Sequence, residues 1–212
     1  TFPHLPAGVD VADGRITARA CDDLLGAAAI LAALETAAAT GADAWGLFTR
    51  AEEVGLLGAF EAIRLGTVPP GASVLSLECS KALPDAPQGG GAIVRVGDRM
   101  SIFDPVLTEA VRRTAQSAGV THQRKLMDGG VCEASAFCAA GYRASGVAVA
   151  LGNYHNAADD GTGVAPEHVA VADYLAEVSL LDALVADPPP PAPGPDERLA
   201  GRTAEAARCL RP

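Results

Sequence analysis

The chain has 212 residues, of which 49% are hydrophobic and 20% charged, and its formal net charge is −10. That length supports one domain with a sizeable core, and the composition excludes an intrinsically disordered chain. The acidic balance argues against nucleic-acid binding and against docking to anionic membranes, and no run of about 18 apolar residues reads as a membrane span.

Taken in order, short apolar strands alternate with longer helices. Residues 14–20 (GRITARA) read as a strand, and residues 24–40 read as a helix stopped at Gly41. Residues 44–50 (AWGLFTR) are expected to form a strand and 56–66 a helix. Residues 73–79 and 92–96 read as further strands. Residues 104–119 carry apolar side chains near i, i+3 and i+7, with Asp104 as N-cap and Pro105 in the first helical position. THQRKL is a short strand, 132–141 a short helix and 144–151 a buried strand. Residues 167–187 are expected to form one long closing helix.

This alternation predicts an α/β fold: a mixed, mostly parallel sheet flanked by helices in three layers. Residues 1–187 are assigned to the core, and 188–212 to a Pro-rich linker and tail. The five cysteines include no CxxC pair, which suggests a reduced, cytoplasmic setting and argues against cysteine zinc ligands. The chain starts at Thr1 and its methionines are Met100 and Met127, so it reads as a processed or truncated product.

In open α/β sheets, sites gather beyond the carboxyl ends of the strands. Four such ends carry chemistry here: Cys21-Asp22-Asp23, Glu52-Glu53, Glu78 and Gly152-Asn153-Tyr154-His155. Carboxylates crowded at one edge repel unless cations separate them. Oxygen donors with one imidazole suit zinc, cobalt or manganese. The plainer alternative is that the acidic residues sit in first helical turns and meet the helix dipole, with His155 an ordinary loop histidine.

The segments ARACDDLLGAAA, TRAEEVGLLGA, VLSLEC and VALGNYHN, in this order and spacing, resemble the tetrahedral and glutamyl aminopeptidases, dinuclear metallo-exopeptidases. The resemblance runs from residue 14 to about residue 185 and implies a metal-dependent aminopeptidase holding two divalent ions: zinc, with cobalt and manganese as alternatives. It implies peptide substrates and assembly with further copies of the chain. Residue by residue, Asp22 matches the carboxylate bridging both metals, and the peptide from Asp22 to Asp23 is expected to be cis. Glu52 matches the general base and Glu53 a ligand to one metal. Glu78 stands where a carboxylate binds the other metal, although the family usually has Asp there. His155 matches the last ligand, beside Glu53.

Glu133, in GVCEA, falls where many relatives have a Gly-Thr-Asp-Ala-like turn, and no role carries over to it. The family's HxD histidine has no counterpart here, since His4 in TFPHLP does not match, and that ligand is expected upstream. In such sites two ions about 3.5 to 4 Å apart acidify a shared water, and a carboxylate outside the ligand set takes the proton. Adjacent Glu52 and Glu53 can divide these tasks because neighbours in an extended loop point different ways.

Two other classes stay open. One is a non-catalytic or truncated member acting as a binding scaffold. The other is an N-terminal nucleophile hydrolase using Thr1, which the strand-helix order disfavours.

Overall fold

The computed structural model describes Leu5 and residues 8–188. Thr1, His4 and the tail after Pro188 lie outside the described residues, and with them the expected linker.

Among the described residues, seven strands and five α-helices follow in this order: β1 (Asp10–Ala12), β2 (Arg15–Ala18), α1 (Cys21–Thr40), α2 (Leu57–Leu65), β3 (Ser73–Lys81), β4 (Ala92–Asp98), α3 (Pro105–Ser117), β5 (His122–Met127), α4 (Glu133–Ala139), β6 (Arg143–Gly152), β7 (Glu167–Ala170) and α5 (Val171–Ala186). A single 3-10 turn, Tyr154–Asn156, lies between β6 and β7.

β6 is the central strand. Its Val147, Ala148, Val149 and Ala150 are fully buried. β3 pairs with β6 in parallel along its whole length and has no second partner among the described residues. The opposite edge of β6 is shared by two antiparallel partners: β4 at residues 146–148 and β7 at Leu151–Gly152. β4 carries β5 in parallel, while β7 continues antiparallel into β2 and β1. The sheet is thus mixed, as expected. The two parallel ladders are the longest, although four of the six ladders are antiparallel.

Alternation along the strands assigns the layers. Leu77, Val94 and Val147 share one face with Ala29 of α1, Val111 of α3 and Leu180 of α5. Val74 and Ala144 share the other with Ala59 of α2 and Phe137 of α4. The expected three-layer order therefore forms.

Two expectations fail locally. Residues 44–50 form no ladder, because Trp45 and Phe48 face solvent while Gly46 lies against Ile30 and Leu34 of α1; side-chain packing, not strand pairing, holds them. The closing helix is shorter than expected. Glu167–Ala170 alternate inward and outward as β7, with Val169 fully buried opposite Leu151, and α5 begins only after Ala170. Helix α1 is long and apolar enough to cross a membrane by length and composition. In this fold it forms part of a helix layer, with Ala29 fully buried in the core and Thr36 Oγ1 donating to Asp182 of α5 at 2.6 Å.

Asp104 caps α3 as expected, accepting from the backbone N–H groups of Val106 and Leu107. Gly41 ends α1 in the left-handed region at φ 72°.

A buried carboxylate fastens the turn before β4 to α5. Asp173, fully buried, accepts from Gly89 N at 2.8 Å and Gly91 N at 2.7 Å. Gly91 has φ +82°, and a Cβ there would stand 2.0 Å from the Thr121 carbonyl oxygen. Gly91→Ala is therefore expected to cost about 2 to 6 kcal/mol, since strain and overpacking each contribute about 1 to 3. A urea titration checks this, and an unchanged midpoint would refute the backbone argument.

Candidate metal centre

The site is assembled at the carboxyl ends of β3 and β6 from three loops. The first joins β2 to α1. Here the Asp22–Asp23 peptide is cis, as the resemblance implied. Asp22 N donates to Glu167 Oε2 at 3.0 Å, so β7 fixes the turn. Asp23 accepts from Gly26 N at 3.1 Å in the first turn of α1, and its carboxylate groups with Asp22 and Cys79, whose donor atoms lie within 4.8 Å of one another.

The second loop carries Glu52 and Glu53. Its carbonyl at Glu52 accepts from Gly55 N and Leu56 N, folding 52–56 into a tight turn. Gly58 then donates to the Arg50 carbonyl at 3.0 Å. A Cβ at 58 would stand 2.5 Å from that oxygen, so glycine is what lets α2 close on the loop.

The third loop follows β6. Asn153, His155 and Asn156 all have positive φ. Asn156 Nδ2 ties the turn to the Arg19 carbonyl at 3.0 Å and the Ala165 carbonyl at 3.2 Å. Tyr154 stacks on the His155 ring with centroids 3.9 Å apart. The imidazole is thereby held over the carboxylates.

These loops bring Asp22, Glu53 and His155 together, with one donor atom from each lying within 4.8 Å of the others. His155 Nε2 is 3.7 Å from Asp22 Oδ2 and 3.6 Å from Glu53 Oε1. They line a cavity of about 340 Å³ with Arg19, Asn156 and Glu167. Two carboxylates and an imidazole at this spacing fit one divalent cation.

The electrostatics agree with that fit. Burial first, then the charges of Glu53, Glu167 and Glu52, push the Asp22 carboxyl up to about 7, while Arg95 opposes the shift. Burial, Glu53 and Glu133 likewise push Glu52 up to about 7. A cation among these groups would favour their charged forms.

Glu52 is half-buried beside Glu53 but outside the converging set. Glu78 does not join that set either. Its Oε1 accepts from Ser76 Oγ at 3.0 Å, and its Oε2 lies 3.7 Å from Arg95 Nη1. Glu133 accepts from Thr49 Oγ1 at 2.5 Å, bracing the loop that carries Glu52.

Sequence reading missed Glu167 and Arg95. Glu167 was hidden inside the expected closing helix. Arg95 left a usable sign, a lone charge in the apolar run AIVRV of a central strand.

Solved structures share this fold. Over 85% of this chain, the TET aminopeptidase from the marine sediment archaeon Thaumarchaeota archaeon SCGC AB-539-E09 superposes with a TM-score of 0.73 at 23% identity, covering 51% of that chain. The Pyrococcus horikoshii TET1 peptidase, described as assembling into a tetrahedron or a large octahedral shell, gives a TM-score of 0.68 at 22% identity over 85% of this chain and 53% of its own. The chain thus spans about half the length of the solved structures it matches. No curated protein matches it. The family model of the M42 glutamyl aminopeptidases matches residues 6–159, and the chain belongs to that family.

Proposed function

We propose that this chain is the metal-bearing core of an aminopeptidase that removes N-terminal residues from peptides, with Asp22, Glu53 and His155 holding a divalent ion (zinc, cobalt or manganese) and Glu52 as general base. The observation that carries this reading is the convergence of those three donors beside a carboxylate that stays outside them. A divalent ion held there supplies Lewis acidity towards the scissile carbonyl and the attacking water.

The chain's own residues do the rest. Glu52, raised to about 7, takes a proton at neutral pH and returns it to the leaving amine. Glu167 keeps the Asp22 backbone in place, and the Tyr154 ring holds the imidazole face. Membership of the M42 family supports the reaction class. The shells formed by the TET1 peptidase support assembly with further copies as part of the proposal.

The test is hydrolysis of aminoacyl-p-nitroanilides and of their N-acetylated counterparts. Activity is expected only on the free-amine substrates, is abolished by chelation and is restored by zinc, cobalt or manganese. Equal cleavage of the N-acetylated series would rule out an aminopeptidase.

Metal affinity should also depend on pH. Asp22 must lose its proton to bind, so binding releases protons and weakens as pH falls below about 7. Isothermal titration across that range checks the sign, and a pH-independent affinity would contradict it.

A further inference from the structure

The donor set fits one cation but not a second cation on Glu78. We propose that Glu78 is the counterion of Arg95 and not a metal ligand, so that the Arg95 guanidinium takes the place of a second cation at that end of the site. This rests on the reading of Asp22, Glu53 and His155 as a metal site.

The sheet builds the pair. Ser76 of β3, Gly146 of β6 and Arg95 of β4 lie side by side in register. Gly146 has no side chain, so Arg95 can cross the central strand towards β3. A Cβ at 146 would stand 3.3 Å from Arg95 Cδ and 3.3 Å from the Phe103 ring. Phe103 lies on the same side, with the guanidinium carbon 6.0 Å from its centroid.

The side chains of Arg95 and Glu78 are only 4% and 15% exposed. Arginine does not shed its proton in proteins, and a buried guanidinium requires a negative partner. Glu78 Oε2 supplies it at 3.7 Å, while Ser76 Oγ occupies Oε1 at 3.0 Å. Each oxygen thus faces a group of this chain, and the Arg95 charge opposes the upward push that burial exerts on the Glu78 carboxyl. A divalent ion on Glu78 would share its ligand with a fixed, buried positive charge and be repelled by it.

Two measurements test the proposal. The first is zinc titration by calorimetry, with elemental analysis, on the wild type, Glu78→Gln and His155→Ala. Glu78→Gln is expected to keep the wild-type stoichiometry and an affinity within about threefold, whereas His155→Ala weakens binding by more than about a hundredfold, beyond the roughly 10- to 100-fold range of lost supporting contacts. Loss of zinc, or a tenfold weakening, in Glu78→Gln overturns the proposal. An unchanged His155→Ala, or no zinc bound by the wild type, counts instead against the metal site itself.

The second measurement needs no metal. In a thermal-unfolding cycle, Arg95→Met should lower Tm, and Glu78→Gln added to it should recover part of that loss, because the uncompensated buried charge is removed. Additive effects would show that the two groups are uncoupled and overturn the pairing.

Discussion

Glu52→Gln is expected to lower turnover by about two to four orders of magnitude, the usual contribution of a positioned acid-base group, while leaving bound metal unchanged. The substitution keeps the shape and the turn, because the contacts that fold the loop use the Glu52 carbonyl, not its side chain. It removes a half-buried carboxylate that sits next to Glu53 but outside the converging donors. Burial and the Glu53 charge hold its pKa near about 7, which suits a group that must accept and then release a proton near neutrality. Turnover of an aminoacyl-p-nitroanilide and metal content on the same sample decide the matter. Metal loss in the Gln variant would move Glu52 among the ligands; full activity would remove it from the reaction.

Glu177→Gln should stabilise the fold by a few kcal/mol at alkaline pH and by little in acid. Glu177 on α5 is 1% exposed, and neither carboxylate oxygen has a partner among the described residues. Burial, with a smaller contribution from Glu78, pushes it up to about 8. The unfolded chain titrates near its ordinary value of about 4.3. Between those values the folded chain holds the extra proton, so stability falls as pH rises through the window. Glutamine does not titrate, and it also relieves Asp23, whose carboxyl Glu177 helps to raise. Urea unfolding of both proteins at about pH 5 and about pH 8 should show the gap opening with pH. A gap constant across that range would mean that the carboxyl is solvated or paired in solution.

The sequence pattern located the parts of this molecule whose burial is strictly periodic. β6 reads as one unbroken apolar run because both its faces are covered, and α3 announces itself through Asp104-Pro105. The site was legible where backbone and chemistry coincide, as in the Asp22-Asp23 turn and the Glu52-Glu53 loop. β1 was missed although Asp13-Gly14, both at positive φ, mark a two-residue hairpin. β7 was missed because four residues in a helix-compatible run do not separate period 2 from period 3.6. The partner of Glu78 could not be read at all. Arg95 reaches it only across Gly146, and no linear pattern shows which strands flank a glycine.

The one-sided pairing of β3 bears on handling of the protein. Along Ser73–Lys81, the backbone donors and acceptors that face away from β6 have no ladder among the described residues. Ser76, Leu77, Cys79 and Ser80 are buried, so only the ends of the strand, Ser73 and Lys81, are open to an incoming strand. Lys81, exposed at its end, carries a charge of the kind that discourages strand stacking.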